Sequence, residues 1–304
     1  MPSNEQDSFR GCLLGLATGD AVGTTVEFQP RGLFPPVTDM VGGGPFSLKP
    51  GQWTDDTSMA LCLATSLLEV NGFDPKDQMN RYCNWWKNGY MSSNGRCFDM
   101  GNTVAEALGR YQQTGEAFSG STHPRSAGNG SIMRLAPVPM FYFPNREQVV
   151  YFSGESSRTT HGTVECVEAC QLLSLILYQA LSGANKEEIL YSNDPASFSA
   201  DRIKEIARGS YLEKTENEVE GSGYVVRSLE AALWCFWQTD SFEDAILKAV
   251  NLGDDADTTG AVCGQIAGAF YGESGIPQKW LKSLAMGEQI TQLAERLALA
   301  SVDS

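Results

Sequence analysis

The sequence predicts an all-α protein, and two observations support that fold class, while the length of the chain supports a large core. Apolar residues recur at helical spacing in several long segments. Alternating strand patterns are scarce. The stretch 138–152 is ambiguous, because Pro137 lies just before it and Pro139 lies within it, and proline does not suit a central strand. With 304 residues, 42% of them hydrophobic, the chain is long enough to bury a large core. No low-complexity linker divides it, so we expect one domain spanning residues 1–304.

Five segments carry the helical signal most clearly. The segment 55–70 is apolar on nearly every side, as a buried helix is. In 225–239 the apolar residues follow at spacings of three and four, and Ser241 or Asp240 is suited to cap the helix after it. By contrast, glycine and proline cluster at 30–51, which predicts a long ordered loop. We expect helices at 55–70, 162–182, 225–239, 242–251 and 286–300.

Composition narrows the class of protein. The net charge of -15 argues against general binding to nucleic acid, which needs basic patches. We expect no membrane span, because no uninterrupted apolar run reaches about 18 residues. The N-terminus has no basic segment before its apolar run, unlike a signal peptide. The eight cysteines form no C-x-x-C pair, which predicts reduced, buried thiols in a cytoplasmic protein.

Two acidic motifs stand out, and each lies where a loop enters an apolar segment. The first is TDDT in GQWTDDTSMA, at 51–60, and the second is DDADTT in NLGDDADTTG, at 251–260. A single Asp or Thr at the start of a helix is most often an N-cap, since the first amides of a helix lack partners. Capping needs one side chain, however, whereas each motif holds several carboxylates.

Hard divalent cations explain the motifs better. Mg²⁺ and Mn²⁺ prefer carboxylate, hydroxyl and water oxygens. The chain has only two histidines, which argues against a His-rich zinc or iron site. The motifs therefore predict a site for two Mg²⁺ or Mn²⁺ ions, made by Thr54, Asp55, Asp56, Asp255, Asp257 and Thr258.

Seven stretches form an ordered set with these motifs: GCLLGLATGDAVGTTVEF, GGGPFSLKPGQWTDDTSMAL, CFDMGNTV, GNGSIMRLAPVP, SSRTTHGTVEC, SGYVVRSLEAALWCF and NLGDDADTTGAVCGQIAGAFYG. In this order they resemble the ADP-ribosylglycohydrolase family, and most closely its arginine-specific branch. The resemblance covers most of the chain. It implies a compact domain of orthogonal helices with a dinuclear Mg²⁺ or Mn²⁺ site in a cleft.

The resemblance also assigns roles to individual acids. It implies that the six motif residues are the metal ligands, that Asp56 lies at the reacting centre, and that Glu27 ligates or gates the ions. Asp254 falls outside the ligand pattern and is expected beside the ligands or as a cap. Asp99 would be the acid or base of the reaction. The alternative is a loop residue that pairs with Asn102 or caps the helix starting near Thr103.

Other residues are expected to hold the rest of the ligand. Glycines in a loop entering a helix let backbone N–H groups approach a phosphate, although a plain turn is the alternative. The resemblance implies that Tyr224 stacks on adenine, with an ordinary core tyrosine as the alternative. His161 is expected to organise the ribose site by hydrogen bonding rather than to act as a base. The expected substrate-binding residues are Asn102, Gly128, Asn129, Gly130, Ser131, His161 and Tyr224.

The function that the resemblance implies is hydrolysis of ADP-ribose from a modified arginine of a protein. Its partners would be ADP-ribose and an ADP-ribosylated protein, and the sequence leaves the oligomeric state open. Another linkage, such as ADP-ribosyl-serine or O-acetyl-ADP-ribose, is an alternative within the family. A non-catalytic ADP-ribose-binding protein and a two-metal phosphoesterase are alternatives of other classes. The intact carboxylate set disfavours the first, and the lack of an obvious histidine in the site disfavours the second.

Overall fold

The computed structural model describes residues 3–191 and 193–300, and this part of the chain is helical throughout its core. No strand forms in these two ranges, where β-pairing is limited to three isolated bridges. The all-α prediction is confirmed. Fourteen α-helices, α1 to α14 in chain order, form within the described residues: Ser3–Gly23, Asp55–Val70, Pro75–Asn88, Asn102–Thr114, Pro137–Tyr142, Arg146–Arg158, Val164–Leu181, Lys186–Tyr191, Asp201–Ala207, Val225–Trp237, Phe242–Val250, Ala256–Tyr271, Gln278–Ser283 and Gly287–Ala300.

All five predicted helices are present, with ends within two residues of those expected. Ser241 caps α11 by accepting a hydrogen bond from the amide of Asp244, as its position predicted. The ambiguous stretch 138–152 forms parts of α5 and α6 rather than a strand. Proline is tolerated there because Pro137 begins α5, where the missing N–H has no helical partner to lose. The segment 30–51 is the ordered loop that its glycines and prolines predicted.

Helices α1 and α12 run antiparallel with their backbones in direct contact. Glycines four residues apart on each helix make this approach possible, because a Cβ added at Gly15 would lie 2.3 Å from the carbonyl oxygen of Gly264. A Cβ at Gly264 would lie 2.1 Å from the carbonyl oxygen of Gly15. We call this contact the glycine seam; its residues are Gly11, Gly15, Gly19 and Gly23 on α1 and Gly260, Gly264 and Gly268 on α12. The seam brings the C-terminal end of α1 against the N-terminal end of α12.

Helix α7 is the one helix in the described ranges that is long and apolar enough to cross a membrane, with a mean hydropathy of 1.4 over Val164–Leu181. This helix is not an uninterrupted apolar run, because Glu165 and Glu168 lie within it, but its other residues keep the mean hydropathy high. In the fold, 67% of this span is buried. It packs against α6, α10 and α12, so its apolar side chains contribute to the core. The absence of a membrane partner stays a prediction.

The cysteines are free thiols, and seven of the eight are buried. Cys166 and Cys170, four residues apart on α7, lie in the core, and burial raises the pKa of both thiols. The expectation of buried, unpaired thiols is confirmed for all but the half-buried Cys97.

The glycine seam gives a first test. Gly264→Ala should destabilise the protein by about 1–3 kcal/mol or more, because the new methyl group has no space against the backbone of α1. Gly109 is the matched control, since it lies within α4 with open space around it. Gly109→Ala should raise stability by about 0.5–1 kcal/mol through helix propensity alone. Thermal unfolding followed by circular dichroism measures both, and equal stabilisation by the two alanines would contradict the close-contact account.

Candidate functional site

A cavity of about 790 Å³ lies where the acidic motifs meet. Its size suits a small-molecule ligand. Its wall includes the start of α4 and the loop before α5. No Lys or Arg is among the described residues that line it. Six acidic and three hydroxyl side chains contribute to the wall: Glu27, Asp55, Asp99, Asp254, Asp255 and Asp257, with Thr103, Ser222 and Thr258.

The fold delivers these acids from both halves of the chain. Glu27 follows the short 3-10 turn at the end of α1, and Asp257 lies in the first turn of α12. The glycine seam therefore holds these two acids at the same end of the helix pair. Asp55 and Asp56 form the first turn of α2, and Asp99 comes from the loop before α4.

Asp20 was missed by the sequence analysis, and it fixes the start of α2. This fully buried side chain of α1 accepts hydrogen bonds from the backbone amides of Thr54 and Thr57, at 2.9 and 3.0 Å. It also accepts from both threonine hydroxyls, at 2.9 and 2.6 Å. An acid from another helix thus occupies the capping role, which frees the acids of α2 for the cavity. The available signal was a single acid within the apolar run LLGLATGDAVG.

The capping alternative for the two acidic motifs is wrong. Thr54 and Asp255 hold the N-cap positions of α2 and α12, but neither side chain bonds an amide of its helix. The hydroxyl of Thr54 lies 3.3 Å from Asp56 Oδ2 and 3.2 Å from Asp257 Oδ2. The hydroxyl of Thr258 lies 3.4 Å from the same oxygen of Asp56. The side chains of the two motifs therefore interlock in one buried cluster.

Asp99 joins this cluster. Carboxylate oxygens of Glu27, Asp99 and Asp257 all lie within 4.8 Å of one another. Asp99 adopts a left-handed backbone conformation, with φ of 61°, which is uncommon for a residue other than glycine. Helix α4 begins at Asn102 with Gly101 as its N-cap, so the alternative that Asp99 caps this helix is wrong. The loop before α4 instead turns the carboxylate of Asp99 towards the two other acids.

Several oxygens of the cluster are buried without a partner. Within the described part of the chain, Glu27 Oε2, Asp56 Oδ1 and Asp257 Oδ1 have no hydrogen-bond donor. A buried acceptor left unpaired costs about 1–3 kcal/mol, and more when it carries charge. Because the lining residues include no Lys or Arg, the described chain does not neutralise these acids from the cavity side. Oxygen-only donors of this kind fit a hard divalent cation, which would supply the missing charge.

Burial and mutual repulsion raise the pKa values of carboxyls in the cluster. Burial raises the pKa of Asp257 well above its ordinary value, and the charges of Glu27 and Asp56 raise it further. Burial is also the main reason that the pKa of Glu27 is raised, and the charge of the neighbouring Asp99 raises it further. The pKa of Asp99 is raised by burial and lowered in part by hydrogen bonds from Glu27 and Asp257. Burial and the neighbouring acids therefore favour the protonated form of Glu27 when no cation is bound.

Gly128, Asn129 and Gly130 form a loop, called here the glycine loop, that packs against His161 beside the cluster. Asn129 Nδ2 donates to Asp255 Oδ2 at 2.7 Å, which ties this loop to the second acidic motif. A Cβ at Gly130 would lie 2.7 Å from His161 Cε1, so only glycine lets the loop approach the ring. Burial and the charge of Arg134 lower the pKa of His161 to about 3, and the ring is neutral.

Hydrogen bonds indicate the orientation of the His161 ring. Its Nδ1 lies 2.8 Å from the hydroxyl of Thr160, and that hydroxyl accepts from Arg134 at 2.7 Å. The hydroxyl of Thr160 has two acceptor lone pairs, so it is able either to donate to Nδ1 or to accept from it while it accepts from Arg134. The other ring nitrogen, Nε2, faces Gly128 and Gly130. This arrangement suits the organising role expected of His161 rather than that of a base.

Two expected ligand contacts lie outside the cavity lining. Ser131 is buried beneath the glycine loop, within reach of Cys170. The hydroxyl of Tyr224 donates to Glu165 at 2.7 Å, and the guanidinium of Arg202 lies 5.7 Å from the centre of its ring. Stacking of Tyr224 on adenine stays a prediction, and Arg202 already occupies one face of the ring.

The remaining expected contacts do line the cavity. Asn102, Gly128, Asn129, Gly130 and His161 all contribute to its wall. Among the metal residues, Thr54 and Asp56 lie below the wall, because both are fully buried behind the acids that form it.

A family model described as ADP-ribosylglycohydrolase matches residues 1–304. The ADP-ribosylarginine hydrolase Tri1 of Serratia proteamaculans is 46% identical over 298 residues, which cover 98% of this chain and 81% of that protein. The ADP-ribosyl-[dinitrogen reductase] glycohydrolase of Rhodospirillum rubrum is 34% identical over 311 residues, which cover 98% of both chains.

A solved structure described as an ADP-ribosylglycohydrolase-related protein complex is also similar. It is 44% identical in sequence and superposes with a TM-score of 0.87. The match covers 98% of this chain and 99% of the other. The similarity therefore extends over the whole fold and is not confined to the acidic motifs.

The acidic cluster predicts how divalent cations change stability with pH. Its carboxyls have raised pKa values in the folded protein, so they ionise at a lower pH in the unfolded chain than in the folded one. Without a cation, stability should therefore fall as pH rises from about 4 towards the raised folded values. Because cations bind the ionised carboxylates, the gain in Tm on adding Mg²⁺ or Mn²⁺ should be larger at about pH 8 than at about pH 5.5. Thermal scans in EDTA and in each ion measure this, and a gain independent of pH would contradict it.

Removal of one charge from the cluster gives a second test of the same electrostatics. In EDTA, Asp257→Asn should raise Tm, because it removes a buried acid that Glu27 and Asp56 repel. The same substitution should abolish the gain from divalent cations. Asp254→Asn is the control, since that side chain is exposed at the cavity and should produce neither effect. A loss of Tm in EDTA for Asp257→Asn would show that this acid is not repelled by its neighbours.

Proposed function

The chain belongs to the ADP-ribosylglycohydrolase family, and we propose that it removes ADP-ribose from a modified arginine of a protein by metal-dependent hydrolysis. The observation that carries this proposal is the buried oxygen cluster on the wall of the 790 Å³ cavity. Three of its oxygens lack a donor among the described residues, which is the need that a bound cation meets. The names of the Serratia and Rhodospirillum relatives direct the choice of substrate.

We propose that two Mg²⁺ or Mn²⁺ ions occupy the cluster. Once bound, such ions polarise oxygens and orient ribose hydroxyls and water. Glu27 lies beside these acids, and bound ions would favour its ionised form, because ion binding and protonation compete for the same carboxylate. The residues that would hold the ions are Thr54, Asp55, Asp56, Asp255, Asp257 and Thr258.

Asp99 is proposed to move the proton of the reaction. The oxygen of water forms a bond to the anomeric carbon of the ribose as the bond from that carbon to nitrogen breaks. The electron pair of the broken bond stays on the guanidine nitrogen. Asp99 accepts the proton released by water and passes it to the guanidine, which leaves as the guanidinium ion. The half-buried position of Asp99 on the cavity wall and its raised pKa suit this exchange.

The glycine loop is proposed to lie against the diphosphate. Gly128 and Gly130 present no side chain to the cavity, so a phosphate is able to approach their backbone closely. In the tautomer that carries its proton on Nε2, His161 would add a donor beside them. With no Lys or Arg among the described lining residues, neutral donors of this kind would have to bind the phosphate oxygens.

The expected setting of this activity is the cytoplasm, with an ADP-ribosylated protein as the partner. The net charge of -15 supports a partner other than nucleic acid. A panel of arginine-, serine- and cysteine-linked ADP-ribosyl peptides, offered with Mg²⁺ or Mn²⁺, tests the substrate class. Release of ADP-ribose from the arginine-linked peptide alone is the expected result. Release from another linkage only, or full activity after chelation with metal removal confirmed by elemental analysis, would contradict the proposal.

The role of Asp99 has its own test. Asp99→Asn keeps the shape of the side chain and removes its ability to accept a proton. Hydrolysis of the arginine-linked peptide should fall by about 10²–10⁴. Binding of ADP-ribose, measured by calorimetry in Mn²⁺, should stay near that of the wild type.

Asp74→Asn is the matched control for that substitution. Asp74 caps α3 by accepting from the amides of Lys76 and Asp77, and Asn caps a helix about as well as Asp. This variant should keep wild-type turnover. Loss of Mn²⁺ binding in Asp99→Asn would make Asp99 a metal ligand, whereas unchanged turnover would remove it from the mechanism.

A further inference from the structure

Phe28 is a large apolar side chain exposed on the wall of the cavity. Its side chain follows Glu27 directly and is 65% exposed. It is the one Phe, Tyr or Trp among the described lining residues. Exposure of an aromatic ring beside a polar cluster leaves its apolar surface in water, so a ligand that covers the ring would be stabilised.

The backbone holds Phe28 in an unfavourable conformation. Its φ is 63°, in the left-handed region that bulky residues rarely adopt. The amide of Phe28 donates to the carbonyl of Asp254 at 2.7 Å, and the amide of Asp254 donates to the carbonyl of Gln29 at 2.8 Å. Asp254 is itself left-handed, with φ of 55°. Two residues in this conformation, one beside Glu27 and one beside Asp255, are thus joined by a backbone hydrogen bond. Strain of this kind collects at functional sites.

Arg31 fixes the loop that carries Phe28. Its guanidinium donates to three backbone carbonyls, those of Leu252, Glu216 and Val219, with the Nε contact to Leu252 at 3.2 Å. These carbonyls belong to the segments that lead into α10 and α12. The exposure of Phe28 is therefore imposed by the surrounding fold.

We propose that Phe28 determines specificity by contacting the leaving group, with its ring face against the planar guanidinium of the modified arginine. This rests on the proposed function, which places bond cleavage at the acidic cluster. Phe28 is one residue from Glu27, and so lies near the bond that breaks rather than near the adenine, which the diphosphate separates from that bond. A guanidinium over an aromatic face is attracted by the electrons of the ring. A cavity with no cationic side chain among its described lining residues does not repel such a group.

The ring face is tested by a leucine substitution. Phe28→Leu keeps the apolar surface and removes the aromatic face. Its kcat/KM for the arginine-linked peptide should fall by about 2- to 30-fold, the range of a cation–π contact. Phe28→Trp should retain or exceed the wild-type value. Calorimetric binding of Mn²⁺ and of ADP-ribose should be unchanged in both variants, because neither ligand carries the guanidinium.

A structural role for Phe28 is tested by glycine at the same position. Glycine accepts a positive φ without strain, so Phe28→Gly should raise Tm while kcat/KM falls at least as far as in Phe28→Leu. Leu33→Ala is the control, because Leu33 is a 76% exposed residue of the same loop that does not line the cavity. It should keep wild-type kcat/KM. A fall in Tm for Phe28→Gly would indicate a packing role and overturn the inference.

Failure of the inference is distinguishable from failure of the proposed function. If the wild type releases no ADP-ribose from arginine-linked peptide, the proposed function is overturned before any variant is compared. If the wild type is active and Phe28→Leu has wild-type kcat/KM, only the contact with the leaving group is overturned. An equal loss of affinity for free ADP-ribose in Phe28→Leu would also overturn it, since the ring would then contact the nucleotide.

Discussion

Direct backbone contact between α1 and α12 is the constraint on which the rest of the structure depends. Any side chain larger than hydrogen at Gly15, Gly19 or Gly264 would enter the backbone of the opposite helix. Because the helices are antiparallel, the end of α1 that carries Asp20 and leads to Glu27 meets the first turn of α12. Separation of the two helices by the width of one methyl group would move the acids of the two motifs apart.

The fold accepts an electrostatic cost at this meeting point. Asp56 and Asp257 are buried, and each has an oxygen without a donor among the described residues. The charge of Asp56 raises the pKa of Asp257, and the charges of Asp255 and Asp99 raise the pKa of both. Asp20 offsets part of the cost by holding the first amides of α2, so that the helix does not rely on its own acids for capping. The threonine hydroxyls supply further donors. What remains uncompensated is negative charge on buried oxygens, which is the kind of site that suits a divalent cation.

Much of the fold and part of the site could be predicted from the sequence, for identifiable reasons. The helix at 55–70 has a local signal, since its apolar positions and its acidic first turn are both visible in one stretch. The oxygen-bearing side chains of Thr54, Asp56 and Asp257 could be expected to lie together because hard cations prefer such ligands, but the distances between their oxygens could not be predicted. Asp20 was missed because its partners lie on another helix, and no local pattern marks a cap supplied from a distance. The left-handed conformations of Phe28 and Asp99 depend on tertiary contacts that a sequence pattern does not contain. The sequence contains glycines at every fourth residue of α1 and of α12, but only the structure shows that these two helices face each other.

The positions of the acids along the chain have a consequence for synthesis. Glu27 lies near the beginning of the chain, Asp99 in its first half, and Asp255 and Asp257 near its end. A ribosome-bound chain that has released α1 to α11 still lacks the half of the cluster that α12 contributes. The nascent protein therefore cannot assemble the cluster before α12 has been translated. A fragment truncated before α12, whether from interrupted translation or from proteolysis, lacks Asp257 and Thr258 and so cannot form the cluster seen in the folded protein.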